Sequence, residues 1–221
     1  MVTTLNIPDI LRFPVRSWEA CALTSASYPS IPHIRAMDIP GQGDIPMAHA
    51  IIGGGISEVL VVTGDAPRDT AHTTYPTTAV EAIGRLKRVL PKLRVYAAVD
   101  PYRQSIRAER EYIKQKLDAG ADGFFTQPFF DRRLLAIYAD LLGSQTVFWG
   151  VTPVVTDGAR SYWETTNNVV FPADFEATLE WNCSCARDII AAADDLSANV
   201  YVMPLRVNLL DYLRGVFSAS S

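Results

Sequence analysis

The sequence is poor in cysteine and histidine, with three residues of each in 221. Cys21, Cys183 and Cys185 are too few and too irregularly spaced for a disulfide framework or a four-ligand zinc site. Cys183 and Cys185 would lie about 200° apart around a helix, so they could not chelate one metal ion together. We therefore expect no structural metal, and reduced thiols in a cytoplasmic protein.

Long apolar runs and charge of one sign are also missing. No stretch of about 18 apolar residues occurs, which predicts that the protein does not span a membrane. The net charge is -4 and no basic stripe with interleaved aromatic residues is present, so we expect no nucleic-acid partner. The N-terminal MVTTLNIPDI lacks the basic and apolar regions of a secretory signal. The composition, 48% hydrophobic and 20% charged, predicts one globular domain over residues 1–221.

Short apolar, β-branched runs alternate with helical stretches along the chain. Most runs are continuous rather than alternating, which is typical of parallel strands covered on both faces. The predicted strands are Val2–Ile7, Ile31–Met37, Glu58–Val62, Arg94–Val99, Gly123–Gln127, Thr146–Val151 and Asn199–Met203. The predicted helices lie near Trp18–Ala26, Pro46–Gly53, Thr77–Leu90, Ser105–Ala119, Arg132–Leu142, Gly158–Thr165, Phe175–Leu196 and Leu209–Phe217. This order indicates βα units and an α/β fold with a parallel sheet.

Two architectures can contain such a sheet. A doubly wound sheet carries a glycine-rich phosphate signature directly after a strand, and neither GQG at 41–43 nor GGG at 53–55 has that position. A (β/α)8 barrel of the TIM type agrees better with the pattern, although only about seven strands are predicted. We therefore expect a barrel whose first strand is missing from this chain. Its two unpaired edges predict a homo-oligomer.

The chemistry of such a barrel lies at the C-terminal ends of its strands. Polar or charged residues follow each predicted strand there, at Asn6, His33, Thr63–Asp65, Asp100, Gln127, Thr152 and Arg206. Asp65 could also cap a turn, because Gly-Asp-x-Pro is good turn chemistry. His33 could be a satisfied structural histidine, and Arg206 could pair with a helix carboxylate.

Gln127 is harder to explain without a ligand. It lies among four aromatic residues in the segment GFFTQPFFD. Its primary amide can make up to four hydrogen bonds, and a buried amide without partners is costly. The residues alone thus predict a barrel that binds a flat small molecule with polar edges, but no reaction.

The segments EVLVVTGDAP, KLDAGADGFFTQPFFD, VFWGVTPV and TNNVVFP resemble the methylenetetrahydrofolate reductase family in order and spacing, across essentially the whole chain. DAGAD…TQPFFD is the most specific, because the family has a closely similar segment ending its sixth strand. The resemblance implies an eight-stranded barrel that binds FAD. It further implies an oxidoreductase that passes hydride from NAD(P)H, through FAD, to 5,10-methylenetetrahydrofolate in one-carbon metabolism.

The resemblance also implies roles for residues on the folate side. Gln127 corresponds to the glutamine that hydrogen-bonds the pterin ring. Trp163 corresponds to an aromatic residue that stacks on folate or nicotinamide, and Arg206 to a basic residue in the substrate region. Asp65 corresponds to a catalytic aspartate near both flavin and folate. A carboxylate there would disfavour an anionic reduced flavin and support a cationic iminium substrate.

On the flavin side, the resemblance assigns His33, Thr63, Gly64 and Lys116 to the cofactor, with Lys116 facing the phosphates. Thr63 stands where an arginine is usual. VDPYRQ replaces a loop containing Tyr and His. Tyr102 and Arg103 could compensate in part, by stacking on a ring and by pairing with a phosphate.

The largest departure is on the N-terminal side. The family's first strand carries a glutamate, in a segment like EFFPP, that is taken as the general acid, and nothing before Val2 supplies it. Asp9 and Glu19 are the candidate substitutes. Three hypotheses follow: a flavin-dependent reductase of this family, a folate- or pterin-binding barrel without a redox step, and an inactive, truncated homologue.

Overall fold

The computed structural model describes residues 2–24, 27–66 and 72–217. Its strands are β1 (Leu5–Ile7), β2 (Ser30–Arg35), β3 (Glu58–Val62), β4 (Arg94–Val99), β5 (Gly123–Pro128), β6 (Val147–Val151) and β7 (Asn199–Val202). Its helices are α1 (Ser17–Thr24), α2 (Ala48–Gly53), α3 (Ala79–Val89), α4 (Ile106–Asp118), α5 (Arg132–Leu142), α6 (Asp157–Thr166), α7 (Leu179–Asp195) and α8 (Leu209–Phe217). A 3-10 turn, Ala36–Asp38, follows β2.

The seven strands are ordered β1 to β7 in the sheet as they are in the sequence. The first four pair in parallel, with Asn6 opposite Ile31, His33 opposite Leu60, and Leu60 opposite Tyr96. β6 and β7 also pair in parallel. Parallel strands in sequential order with alternating helices confirm the predicted TIM-barrel type with seven strands.

Side-chain caps set the starts of several helices. Thr78 and Glu81 form a capping box at α3, in which each side chain accepts a hydrogen bond from the backbone N–H of the other residue. Asp131 caps α5, as the sequence predicted, by accepting from the Arg133 N–H at 2.8 Å. Thr156 and Thr178 cap α6 and α7 in the same way. These caps satisfy N–H groups that have no partner inside a helix.

The chain divides into two compact units. Unit 1 is Met1–Ala98 with Tyr112–Phe124, and unit 2 is Val99–Glu111 with Phe125–Ser221. In unit 1, α3 packs on β3 and α1 packs on β2. The apolar side chains that fill this core are fully buried, among them Ile34, Val59, Val61, Ile83, Leu86 and Val95. Burial on both faces explains why these strands have continuous apolar sequences.

Aromatic rings fill unit 2. Phe129 packs edge-on against Trp149, with ring centroids 5.4 Å apart. Phe125 stacks on Phe148 at 4.1 Å and contacts Tyr201 at 5.5 Å. Since successive strand residues point to opposite faces, Phe125 and Gln127 share one face of β5.

A close contact among β5, β6 and β7 lies in this aromatic core. The Tyr201 hydroxyl donates to the Thr126 carbonyl at 2.6 Å, and the Thr126 hydroxyl accepts from the Gly150 N–H at 3.1 Å. A Cβ at Gly150 would lie 2.8 Å from the Tyr201 hydroxyl and 3.0 Å from the Thr126 carbonyl oxygen. Position 150 therefore requires glycine for space.

We predict that Gly150→Ala lowers the free energy of unfolding by about 1–3 kcal/mol, because the methyl group overpacks this contact. Gly158→Ala is the matched control, since a Cβ there would meet no heavy atom within 4 Å and alanine favours the first turn of α6. Urea denaturation of both variants measures the difference. Equal stability of the two variants would contradict the packing argument.

Candidate functional site

The residues predicted for the site fall in both units. Unit 1 contains His33, Thr63, Gly64, Asp65 and Lys116, and unit 2 contains Tyr102, Arg103, Gln127, Trp163 and Arg206. Within unit 1, the segment Thr63–Asp65 follows β3 directly, and His33 lies in the neighbouring strand β2. Within unit 2, Gln127 is the second-last residue of β5 and Arg206 follows β7.

The loop after β3 presents its side chains to solvent. Thr63 and Asp65 are exposed, and Gly64 between them has φ +90°. A Cβ at Gly64 would lie 3.0 Å from the Met37 sulfur, so both space and backbone conformation favour glycine. The Asp65 carboxylate makes no hydrogen bond with any residue in the described ranges, which does not support a turn-capping role. Asp65 is thus available to a ligand.

A cluster of charged side chains, which sequence reasoning missed, lies beside this loop. Asp38 accepts from Arg35 and Arg16 and is joined to His72, with His72 Nε2 2.9 Å from Asp38 Oδ1. Arg35 also donates from Nη2 to the backbone carbonyl of Asp65 at 2.6 Å. We call Asp38, Arg16, Arg35 and His72 the Asp38 cluster. The signal was in PHIRAMDIP, where Arg35 and Asp38 stand three residues apart directly after a buried strand.

A buried carboxylate needs cationic partners, and Arg16 and Arg35 of the Asp38 cluster supply them for Asp38. The Asp38 side chain is 6% exposed. Burial opposes ionisation of Asp38, but hydrogen bonds from His72 and Arg16, with the charges of Arg35 and Arg16, lower its pKa below the ordinary value. Asp38 is therefore an ionised acceptor and not a proton donor.

Both candidate acids, Asp9 and Glu19, already accept hydrogen bonds in this structure. The Asp9 side chain is 1% exposed and is bound by Arg16, whose Nε lies 2.9 Å from Asp9 Oδ1. Glu19 accepts from the Arg16 N–H at 2.8 Å, where α1 begins. A carboxylate that already holds cationic or backbone donors is a poor general acid.

His33 is half-buried in unit 1. Its Nε2 lies 3.0 Å from the Asn6 side-chain oxygen, and the Ser17 hydroxyl donates to its backbone carbonyl at 2.6 Å. Burial lowers the pKa of His33 to about 4, against a smaller opposing effect of Asp9. The imidazole is therefore neutral near pH 7, and Asn6 is a structural partner for it.

Lys116 has a different place from the one predicted. Its side chain is buried on α4, Nζ donates to the Ala98 carbonyl at 2.7 Å, and Nζ lies 3.8 Å from the centre of the Tyr112 ring. An ammonium group enclosed in this way cannot face cofactor phosphates without leaving its partners. In this structure Lys116 attaches α4 to β4, and its contact with cofactor phosphates stays a prediction.

In unit 2, the Gln127 side chain lies at the end of β5 without a hydrogen-bond partner among the described residues. It is half-buried on the same face of β5 as Phe125, and its amide makes no hydrogen bond with any residue in the described ranges. Its neighbour Thr126 is fully engaged, as described above. Gln127 is therefore the polar group at this strand end that has unused donors and acceptors.

Trp163 lies in the apolar core of unit 2, with 6% of its surface exposed. It packs edge-on against Phe130, 5.8 Å between centroids, in a cluster that includes Val154, Val169 and Phe175. These contacts give Trp163 a packing role in the structure, and its stacking on folate or nicotinamide stays a prediction.

The remaining three residues differ in exposure. Tyr102 is half-buried against that apolar cluster, and its hydroxyl donates to the Pro128 carbonyl at 3.0 Å. Arg103 is exposed. Arg206 is also exposed, in a left-handed conformation with φ +56°, and no carboxylate of the described residues pairs with it. Its left-handed backbone is costly for a residue other than glycine, and such strain clusters at functional sites.

Within the described ranges, no helix is long and apolar enough to cross a membrane. The same residues contain no group of three or more His, Cys, Asp or Glu side chains placed to hold a metal ion. Cys21, Cys183 and Cys185 are free thiols, and burial raises the pKa of each.

Solved structures define the class of fold. The chain matches a family 51 α-L-arabinofuranosidase from Bifidobacterium longum with TM-score 0.51 and 9% identity, over 88% of this chain and 51% of that one. It matches a 2,3-dimethylmalate lyase of the PEP mutase/isocitrate lyase superfamily with TM-score 0.50 and 16% identity, over 85% of this chain and 57% of that one. This chain therefore spans little more than half the length of either protein. At these identities the likeness concerns the α/β barrel fold alone.

The sequence defines the family. Residues 19–182, about three quarters of the chain, match the methylenetetrahydrofolate reductase family. The chain therefore belongs to the methylenetetrahydrofolate reductase family. The matched range contains the Asp38 cluster except Arg16, together with Asp65 and Gln127.

The half-buried histidine gives a prediction for pH dependence. Because the pKa of His33 is about 4 in the folded chain and about 6.5 in the unfolded chain, the unfolded chain binds the proton first as pH falls. Stability should therefore decrease between about pH 6.5 and pH 4, by up to roughly 3 kcal/mol. His33→Gln should flatten this dependence in urea denaturation at a series of pH values. The exposed His49 is the control, and an equal effect of His49→Gln would contradict the prediction.

Proposed function

We propose that this chain is a flavin-dependent oxidoreductase that uses NAD(P)H to reduce 5,10-methylenetetrahydrofolate. Family membership supports the reaction class. The observation that carries the proposal is the half-buried, unpartnered amide of Gln127 at the end of β5. We further propose a cytoplasmic location and small-molecule partners.

Gln127 fits the edge of a pterin ring. The edge presents adjacent donors and acceptors, and a primary amide offers both kinds of group in one plane. Phe125 on the same strand face is buried and stacks on Phe148, so it supports the strand that carries this amide. A polar group that is unpaired without ligand discriminates strongly for the ligand that pairs it.

Asp65 is the second element of the proposal. Its carboxylate is exposed at the end of β3 while its backbone carbonyl is held by Arg35. A fixed negative charge stabilises positive charge that develops on a bound substrate, such as an iminium group. We assign this electrostatic role to Asp65 and not a proton transfer.

The residues expected beside the flavin ring fit FAD better than those expected beside its phosphates. The bound flavin would accept hydride from NAD(P)H and deliver it to the folate. Gly64 gives the loop after β3 a left-handed backbone, with φ +90°, and neutral His33 adds no charge in unit 1. Arg103 is exposed and can pair with a phosphate, whereas Lys116 is buried.

A folate- or pterin-binding barrel without a redox step is the second candidate. The burial of Lys116 and the engagement of Asp9 and Glu19 favour it, because these remove a phosphate contact and the substitutes for the acid. The two candidates differ in flavin content. Visible absorption of the purified protein, with FAD and then anaerobic NADH added, separates them. A bound flavin that bleaches supports the reductase, and no retained flavin supports the binding protein.

We predict that Gln127→Ala weakens binding of tetrahydrofolate, or of a stable folate analogue, by about tenfold or more. The physical reason is that pterin groups lose their hydrogen-bond partner. Flavin content should not change. Gln145→Ala is the matched control, since Gln145 is exposed and precedes β6 at the opposite strand end. Unchanged folate affinity in a titration of the Gln127 variant would exclude its role.

We further predict that Asp65→Asn raises the reduction potential of bound FAD, by on the order of 30 mV, because removing a negative charge favours added electrons. Spectroelectrochemical titration measures the potential. Asp118→Asn, which removes an exposed carboxylate on α4, should leave it unchanged. Equal potentials in wild-type protein and the Asp65 variant would refute this role.

A further inference from the structure

Both ends of the loop that carries Asp65 are attached to the segment directly after β2. At its beginning, the Thr63 carbonyl accepts from the Met37 N–H at 3.3 Å. At its end, the Tyr75 N–H donates to the Met37 carbonyl at 2.8 Å, and the Thr77 hydroxyl donates to the Ile39 carbonyl at 2.6 Å. The 3-10 turn Ala36–Asp38 is thus the anchor of this loop.

Asp38 reinforces the same two attachments through side chains. Towards the beginning of the loop, it holds the Arg35 guanidinium, with Nε 3.2 Å from Asp38 Oδ2, and Arg35 Nη2 holds the Asp65 carbonyl. Towards the end, Asp38 Oδ1 holds His72 Nε2. One carboxylate therefore reaches both sides of the loop, and the Asp65 carboxylate forms no hydrogen bond with residues 2–24, 27–66 or 72–217.

We propose that Asp38 is a positioning residue, which fixes the backbone of Asp65 through Arg35 and the end of the same loop through His72. The importance of Asp65 for the reaction rests on the proposed function. The link from Asp38 to the backbone of Asp65 does not, because it rests on the contacts described above. Hydrogen bonds that involve ionised groups are the strong ones, so the link is stiff. A preorganised carboxylate is effective only if its supporting contacts hold it in place.

Asp9 offers the matched control. It binds Arg16, as Asp38 does, and its side chain is buried and ionically paired, but it forms no hydrogen bond or ion pair with the part of the loop that the structure describes. Asp9→Asn should disturb the charged cluster without releasing Asp65. Asp38→Asn should disturb the charged cluster and should also release Asp65.

The first experiment measures hydrogen exchange of single amides in the purified protein. Asp38→Asn should speed exchange of the Met37 and Tyr75 amides roughly ten- to a hundredfold, because both hydrogen bonds lose their side-chain support. The Val95 amide, which donates to Asp122 at 2.7 Å, should exchange at its wild-type rate. Asp9→Asn should leave all three rates nearly unchanged. Uniform acceleration would show that Asp38 only stabilises unit 1, and no acceleration would show that it does not hold the loop; either overturns the proposal.

The second experiment tests whether this positioning reaches Asp65. The reduction potential of bound FAD should shift in Asp38→Asn in the same direction as in Asp65→Asn, and the double variant should show no further shift. Additive shifts would overturn the link to Asp65. Absence of bound flavin in every variant would refute the proposed function instead, and the exchange rates would still decide whether Asp38 holds the loop.

Discussion

Burial of both faces of a parallel sheet is the constraint on which the other features of this protein depend. A strand covered on both faces must be apolar along its length, as Val59 and Val61 of β3 are. Polar side chains are then confined to the strand ends or must be paired inside. Helix caps at Thr78, Asp131, Thr156 and Thr178 follow from the same need to satisfy backbone groups.

The two units meet this constraint in different ways. Unit 1 places charges near its strand ends and neutralises them by pairing, as Asp38 shows with its three cationic or imidazole partners. Unit 2 uses aromatic packing, with Phe125, Phe129 and Trp149 in separate ring contacts. Among the described residues, the side chains of Asp65 and Gln127 are polar groups at strand ends that form no hydrogen bond, which makes each a candidate for ligand binding.

Sequence reasoning predicted the elements well. Glu58–Val62, Arg94–Val99, Arg132–Leu142 and Leu209–Phe217 have the predicted bounds, and most others differ by a few residues at their ends. The predicted end of the first helix, Ala26, lies outside the described residues. β2 ends at Arg35 rather than at Met37, because Ala36–Asp38 turns into a 3-10 conformation. That turn is what brings Asp38 against Arg16 and His72, which are distant in sequence. The Asp38 cluster could not be inferred from periodicity, since a carboxylate's partners depend on which chain segments meet.

The placements of Lys116 and Trp163 show a second limit. A lysine on a helix and a tryptophan on a helix suit a ligand or a core equally well, and only the rotation and packing of the helix decide between them. Here packing turned Lys116 towards the Ala98 carbonyl and Trp163 towards Phe130. Gln127 differs from both. Gly150 and Tyr201 hydrogen-bond to its neighbour Thr126, whereas no described residue hydrogen-bonds to the Gln127 amide.

The sequence by itself determined the order of strands and helices, the parallel sheet and the family, because these depend on local periodicity, caps and short motifs. It also determined that polar residues follow the strands. Only the tertiary structure decided which of those residues are occupied by the protein's own groups and which remain available. The physical reason is that a hydrogen bond or an ion pair forms between groups brought together in space, so its existence at Asp38, or its absence at Asp65, is a property of packing.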